Sequence, residues 1–140
     1  MNNVNFDDVN FKNTTDYQNF IKENSGTGCL KIRASLGNEA LPVEGVSITI
    51  TKNIGNNKVT FFKGVTDSSG MINGIKLPAP IENPDDEIIP KYALYDLNAK
   101  YDSDGLDKNY QIILYSDICI VQYINIVPSS NLEMRYDNGY

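Results

Sequence analysis

The residue types that most often carry out reactions in proteins are scarce in this chain of 140 residues. It contains no histidine, the side chain that usually serves as a general base near neutral pH, activates a nucleophile or binds zinc. An enzyme built on this sequence would depend on carboxylates or lysines alone. We therefore predict a protein that is not an enzyme and that uses no cofactor and no metal.

Two cysteines are the next candidates for chemistry. Cys29 and Cys119 lie in the first and last predicted strands, each on the side opposite to an apolar neighbour, Leu30 or Ile120. A disulfide within the chain needs Cα atoms within about 7 Å, so the first and last strands would have to be neighbours. The alternatives are a bond between two copies or two unpaired thiols. Because nothing marks the chain as secreted, unpaired or intermolecular cysteines are the favoured prediction.

Two groups of carboxylates suggest metal or acid–base chemistry. Asp102, Asp104 and Asp107 are spaced like the first ligands of a calcium loop, but Ile113 occupies the twelfth position, where such a loop needs a bidentate glutamate. The acidic range 85–87 shows no sign of the cleft that would hold two carboxylates about 5 to 10 Å apart for glycoside hydrolysis. We interpret the two groups as a solvated turn and a solvated loop.

Tyrosines offer a surface on which sugars could stack, because an aromatic ring combines an apolar face with a polar edge. The tyrosines concerned are Tyr92, Tyr95, Tyr101, Tyr110, Tyr115 and Tyr123. Carbohydrate-binding sites often use tryptophan, and this chain has none. Most of these tyrosines are therefore expected to cover sheet faces and strand ends.

The charge argues against two classes of partner. With 18 acidic and 12 basic residues the formal net charge is −6, and Lys and Arg form no cluster along the sequence, whereas nucleic acids and anionic membranes require a positive patch. The first residues lack the basic start and apolar core of a signal peptide. No window approaches the roughly 20 apolar residues of a membrane span. We predict neither nucleic-acid binding nor membrane insertion.

The elements that must position these residues are strands, since apolar and polar residues alternate from residue 28 onwards. The clearest case is the range 46–51, where valine and isoleucine alternate with serine and threonine. The segment Thr66-Asp67-Ser68-Ser69-Gly70 predicts a tight turn closed by glycine, and Pro78 stops the strand that follows. About seven strands with short turns and no long helix predict an all-β, antiparallel sandwich.

Residues 1–27 differ from the rest and are predicted to form an N-terminal arm. Four apolar residues of the arm alternate with Asn and Asp: Val4, Phe6, Val9 and Phe11. Such a segment can pair as a strand with an exposed sheet edge. A short helix follows, with Thr15 as its predicted cap and Gly26 near its end. Whether the arm packs on its own sandwich, packs on another copy or is disordered is open at this point.

The sandwich is assigned to residues 28–128 and a tail to residues 129–140. Four segments carry a resemblance: Gly28-Cys29-Leu30-Lys31-Ile32, Pro42-Val43-Glu44-Gly45-Val46-Ser47-Ile48, Thr66-Asp67-Ser68-Ser69-Gly70 and Ile75-Lys76-Leu77-Pro78. Together they resemble the carboxypeptidase regulatory-like and collagen-adhesin B-type superfamily. That resemblance implies a seven-strand, transthyretin-like (prealbumin and immunoglobulin-like) sandwich. The chain is similar in particular to small domains of clostridial-type Gram-positive bacteria, including those attached to spore cortex-lytic proteins.

The resemblance also suggests one covalent crosslink. Some adhesin repeats of this superfamily join a lysine on the first strand to an asparagine near the end of the last, with a buried acid as promoter. Lys31, Asn125 and Asp96 lie on the matching strands. Because Leu30 and Ile32 are expected to point inward, Lys31 should point to solvent, and we do not expect this isopeptide bond.

The resemblance implies a non-enzymatic module: a spacer, a surface protein, a pilin-like subunit or a carbohydrate-binding accessory. We expect a structural or surface protein that assembles with itself, because head-to-tail pairing through an arm propagates into a filament. The alternative is a module that binds cell-wall glycan or peptidoglycan. An extracellular, cell-surface or spore-surface location suits both, although no signal peptide is present.

Overall fold

The computed structural model of the protein describes residues 12–37, 41–81, 91–102 and 105–127. In this part of the chain one helix precedes eight strands: α1 (Thr15–Glu23), β1 (Gly26–Leu36), β2 (Leu41–Pro42), β3 (Ser47–Ile54), β4 (Asn57–Val65), β5 (Met71–Ala79), β6 (Ala93–Tyr101), β7 (Leu106–Leu114) and β8 (Cys119–Ile126). Within these ranges, no helix has the length and apolar character required to cross a bilayer.

The strands form two four-stranded sheets, which confirms the predicted β-sandwich. In sheet A, β1 is central: β8 pairs along one of its edges, and β5 followed by β2 along the other. In sheet B the order is β4-β3-β6-β7, and all neighbours are antiparallel. Two details differ from the expectation of seven antiparallel strands. The short strand β2 is additional, and β1 and β8 run parallel.

The core lies between the sheets and is built from the inward residue of each alternating pair. Leu30 and Ile32 of β1 face Leu97 of β6 and Ile112 of β7 across it, all at most 1% exposed. Tyr95 is the largest fully buried side chain in the described ranges. Its hydroxyl donates a hydrogen bond to the carbonyl oxygen of Pro78, which links sheet B to sheet A.

Helix α1 begins one residue earlier than the capping pattern suggests. The side-chain oxygen of Thr14, not of Thr15, accepts a hydrogen bond from the Tyr17 amide at 3.3 Å. This N-cap satisfies one of the donors that the first turn of a helix leaves without a partner. Asn24 ends the helix, and Gly26 already belongs to β1.

The apolar side of α1 packs on its own sandwich. Phe20 is 7% exposed, and its ring centre lies 5.6 Å from that of Phe61 on β4. At the start of the helix, Asp16 lies against Gly55 in the turn between β3 and β4, where a Cβ atom would collide with the carboxylate. The helix is therefore a fixed part of the sandwich, beside the β3–β4 turn.

Thr66 is the one polar side chain that is buried in the described part of the chain. Its hydroxyl donates to the carbonyl oxygen of Val43 at 2.8 Å and accepts from the amide of Val46 at 3.0 Å. Two backbone hydrogen bonds connect the same segments: Thr66 N–H donates to the Val46 carbonyl at 3.0 Å, and Gly45 N–H donates to the Thr66 carbonyl at 3.1 Å. Thr66 thus ties the loop before β3 to the turn after β4.

The predicted turn after Thr66 is confirmed. The Asp67 carboxylate accepts hydrogen bonds from the amides of Ser69 at 2.9 Å and Met71 at 3.0 Å. Gly70 has φ of 75°, and its carbonyl accepts from the Ala34 amide at 2.7 Å. A Cβ atom there would lie 2.5 Å from the Ala34 carbonyl oxygen, so glycine is required both by conformation and by space.

Replacing Thr66 by valine is expected to destabilise the fold by about 3 kcal/mol, because it leaves the buried Val43 carbonyl and Val46 amide without their partner. Denaturant-induced unfolding measures the change. Thr66→Ser keeps the hydroxyl and should lose much less. Thr60→Val, on an exposed position of β4, should stay within about 0.5 kcal/mol of the parent. Equal stability of Thr66→Val and Thr60→Val would refute the structural role of this hydroxyl.

Candidate functional site

The arm residues Val4, Phe6, Val9 and Phe11 lie outside the described residues, so their role stays a prediction. Because α1 packs on the sandwich, we use the word arm below for residues 1–11 alone, and the structure defines where they are attached. The described chain starts at Lys12, whose carbonyl oxygen accepts a hydrogen bond from the Gln18 side chain at 2.7 Å. The arm therefore leaves the sandwich at the start of α1, next to the β3–β4 turn.

Cys29 and Cys119 are joined in a disulfide within the chain. They lie directly opposite each other in the β1–β8 pair, with Cα atoms 4.2 Å apart. The favoured expectation of unpaired or intermolecular cysteines is therefore wrong for this structure. Leu30 and Ile120 point into the core, so the disulfide lies on the outer face of sheet A.

The outer face of sheet A gathers positive charge. Its four strands contain no Asp or Glu, while Lys31, Arg33 and Lys76 occupy outward positions. In register, Lys31 lies opposite Val121 and Arg33 opposite Tyr123 on β8. Val121 is 43% and Tyr123 61% exposed. We call these five residues the basic face. The pairing of β1 with β5 brings Lys76 beside Lys31 and Arg33, which are two positions apart on β1.

The outer face of sheet B is polar instead. One row across the four strands consists of Thr60, Thr51, Asp96 and Gln111, and the next consists of Lys63, Thr49, Asn98 and Asn109. These rows line most of a shallow concavity of about 850 Å³. The Asn98 side chain donates to Asp107 at 2.8 Å and to Asn109 at 3.0 Å. We call this surface the polar face.

Lys52 lies where α1 meets sheet B. Its ammonium donates to the Leu94 carbonyl at 2.6 Å and lies 5.8 Å and 5.4 Å from the ring centres of Phe20 and Tyr95. Burial lowers the pKa of the Lys52 ammonium, and the negative charge of Asp96 opposes this shift. With its charge directed at two rings and a carbonyl, Lys52 connects the helix to the sandwich.

The three residues of the isopeptide hypothesis are not brought together. Lys31 lies opposite Val121, whereas Asn125 lies opposite Ser35, four positions further along the same strand pair. Four residues of strand correspond to about 13 Å. Asp96 is on the outer face of the other sheet. No amide bond between Lys31 and Asn125 can form in this arrangement.

The carboxylate groups show no metal site within the described ranges. Asp102 and Asp107 are exposed, while Asp104 and the acidic range 85–87 fall outside the described residues. No group of three or more His, Cys, Asp or Glu side chains among the described residues could hold a metal ion.

The tyrosines do not form one stacking surface. Tyr95 is buried in the core, and Tyr123 lies on the basic face. Tyr92 and Tyr115 pack edge to face with ring centres 6.0 Å apart. The other two tyrosines of β6 and β7 pack against the core from inner positions. The sequence gives the positions of the tyrosines but not the surface of the folded protein on which each of them lies.

No protein-family model and no curated protein matches the chain. Among solved structures, the Bacillus anthracis TIE protein is similar to it with a TM-score of 0.47 and 14% identity over 74% of this chain. The match spans only 17% of the TIE protein chain. Transthyretin from Sparus aurata is similar with a TM-score of 0.43 and 11% identity, covering 70% of this chain and 89% of that one. These distant likenesses carry no functional argument, and membership of the carboxypeptidase regulatory-like superfamily stays a prediction.

Reducing the Cys29–Cys119 bond is expected to lower the free energy of unfolding by about 4 kcal/mol, because the bond joins residues 90 positions apart and restricts the unfolded chain. Unfolding in denaturant with and without reductant measures this. In a Cys29→Ser, Cys119→Ser protein, reductant should change nothing. A parent protein that is equally stable in both redox states would contradict the expectation.

Proposed function

We propose that this protein is a non-enzymatic structural protein of a cell or spore surface that assembles with further copies of itself. In this proposal the sandwich is the rigid unit and the N-terminal arm bridges neighbouring copies. The observation that carries it is the anchoring of α1. Phe20 is buried against Phe61, and Asp16 lies against Gly55, so the arm extends from a fixed point of the sandwich.

Open sheet edges give such an arm a place to bind. Within the described residues, β4, β7 and β8 each pair with a neighbouring strand on one side only. Unpaired backbone N–H and C=O groups along an edge are a template for a further strand. The alternation of Val4, Phe6, Val9 and Phe11 with polar residues suits a strand that adds to such an edge.

The polar groups inside the sandwich serve its architecture, which supports a structural role. Thr66 joins two loops, Tyr95 links the sheets, and Lys52 holds the helix. In the described ranges, every buried side-chain nitrogen or oxygen has a hydrogen-bond partner.

The disulfide supports a location outside the reducing cytosol. Such bonds form and persist in oxidising environments such as cell and virion surfaces. A contact between the arm of one copy and the sheet edge of the next joins two different surfaces. It therefore repeats from copy to copy and gives a filament unless it closes into a ring.

Deleting residues 1–11 is expected to convert the assembled protein into monomers, because it removes the bridging segment and leaves α1 and the sandwich intact. Light scattering and electron microscopy over a range of concentrations measure particle size. A full-length control with Val4, Phe6, Val9 and Phe11 all changed to serine tests whether apolar contacts are responsible. A full-length protein that stays monomeric at every concentration would rule out the proposed function.

A second candidate function is binding of cell-wall glycan, and the polar face favours it. Hydroxyl, amide, carboxylate and ammonium groups from four strands line one concave surface. This mixture of donors and acceptors matches the many hydroxyl and amide groups of peptidoglycan. The site would rely on hydrogen bonds that the sugar makes with Thr51, Asp96 and Asn98, and not on stacked tyrosines.

Changing Asp96 and Asn98 together to alanine is expected to weaken binding to insoluble peptidoglycan at least tenfold, since a hydrogen bond to a charged group such as Asp96 contributes about 1.5 to 3 kcal/mol and one to a neutral amide about 0.5 to 1.5 kcal/mol. Co-sedimentation with purified peptidoglycan measures it. Tyr92→Ala is the matched control and should leave binding unchanged. Absence of binding by the parent protein would exclude this candidate, and loss through Tyr92→Ala alone would favour a stacking site.

A further inference from the structure

We propose that the arm of one copy binds the open edge of β8 and the adjacent basic face of a second copy. This inference rests on the proposed assembly function and names its acceptor surface. Four observations carry it: the direction of the backbone groups on β8, the exposed apolar side chains there, the charge of the basic face, and the point at which the arm leaves the sandwich.

One side of the β8 backbone faces no described strand, and of its groups the Tyr123 carbonyl oxygen accepts a hydrogen bond from the Gln122 side chain at 3.0 Å. The carbonyl oxygen of Ile118 accepts from Cys29 N–H at 3.1 Å, and that of Ile126 accepts from Gly37 N–H at 2.8 Å. Even-numbered residues of β8 therefore direct their backbone groups towards β1. Backbone groups alternate in direction along a strand, so Val121, Tyr123 and Asn125 direct theirs to the opposite side, where the described residues place no strand.

Exposed apolar side chains concentrate along this edge. Among the described residues, ten large apolar side chains are exposed, and four of them lie between residues 118 and 127: Ile118, Val121, Tyr123 and Val127. Val121 and Tyr123 are two positions apart and share the outer face. The arm has the same spacing in Val4 and Phe6 and again in Val9 and Phe11. An added strand can therefore pair apolar side chains with apolar side chains on that face.

The charges of the two surfaces are complementary. The basic face carries Lys31, Arg33 and Lys76 on strands without a carboxylate, in a protein of net charge −6. Residues 1–11 contain Asp7 and Asp8 and no Lys or Arg. The three cations have no carboxylate partner on their own strands, and an acidic segment beside β8 supplies one within the screening length of about 8 to 10 Å.

The point at which the arm leaves the sandwich indicates that the arm bound to β8 comes from a second copy. Asp16 places the start of α1 at the β3–β4 turn. The strand order puts β4 and β7 at opposite edges of sheet B, and β8 packs near β7. The arm thus starts on the side of the sandwich away from the β8 edge of its own chain. This geometry favours a head-to-tail contact between copies over a contact of the arm with its own β8.

The disulfide gives the acceptor strand a further role. As an edge strand, β8 has one described neighbour, and tension on a docked arm would pull it away from β1. The Cys29–Cys119 bond joins β8 covalently to the central strand of sheet A. Tension on the arm is then transmitted into the middle of the sandwich.

Val121→Glu tests the acceptor edge. The new carboxylate lies opposite Lys31 in register, so the fold is preserved, but it repels Asp7 and Asp8 of an incoming arm. We expect the full-length variant to need at least tenfold higher concentration for assembly, measured by light scattering. Ile113→Glu is the matched control: Ile113 is 42% exposed on the edge strand of the other sheet, against 43% for Val121. It should assemble like the parent.

Crosslinking tests the same contact directly. A carbodiimide activates the carboxyl group of Asp7 or Asp8, and the Lys31 amine displaces the activating group as a urea to form an amide bond. Mass spectrometry of a mixture of isotopically heavy and light chains should show Asp7 or Asp8 joined to Lys31 in heavy–light pairs. Crosslinks only within one chain would overturn the assignment to a second copy.

The outcomes separate this inference from the proposed function. If deletion of residues 1–11 abolishes assembly but Val121→Glu does not, the arm bridges copies through another edge, and only the β8 assignment is overturned. If Ile113→Glu is impaired as strongly as Val121→Glu, the effect is not specific to β8 and the assignment is likewise wrong. If the full-length parent never assembles, both proposals fail.

Discussion

The buried hydroxyl of Thr66 is the interaction on which the two-sheet arrangement depends. It lies in an apolar interior, donates to Val43 and accepts from Val46, and so fixes the loop that carries the chain from sheet A into sheet B. A buried polar group without partners is costly, whereas a satisfied one specifies a single geometry. The carbonyl oxygen of Gly70, four residues further along the chain, accepts a hydrogen bond from the Ala34 amide of β1. The segment from Thr66 to Gly70 thereby aligns β1, the central strand of sheet A, with the start of β3 in sheet B.

The inner faces of both sheets form the core, so the surfaces that other molecules can contact are the outer faces and the edges. The inner faces of the two sheets are alike, since both present alternating aliphatic residues. The outer faces differ: one carries cations and exposed apolar side chains without a carboxylate, and the other carries a mixed polar surface. This difference gives the sandwich two chemically distinct sides. Such asymmetry is what a head-to-tail contact requires, because the donor and the acceptor surfaces of a propagating assembly are not the same.

In the proposed assembly, the helix and the disulfide stabilise the two positions at which neighbouring copies would be connected. Phe20 and Lys52 fasten the segment from which the arm extends, and the Cys29–Cys119 bond fastens the strand that offers an open edge. An edge strand joined to its neighbour only by hydrogen bonds can separate bond by bond. A covalent link at the start of the β1–β8 pair prevents that separation from beginning there.

The main strands, their inward residues and the turn at Thr66 to Gly70 could be predicted from the sequence, whereas the short strand β2 could not. The predicted features are local: side-chain direction alternates with period two, and a turn is specified by four or five adjacent residues. The sequence also indicated correctly that Lys31 lies on the face opposite to Leu30 and Ile32. The packing of α1 on its own sandwich, the parallel β1–β8 pair and the resulting disulfide were decided by tertiary structure. The gathering of Lys31, Arg33 and Lys76 on one face was decided there too. Each of these depends on which distant strands become neighbours, and periodicity within a strand contains no information about its partners.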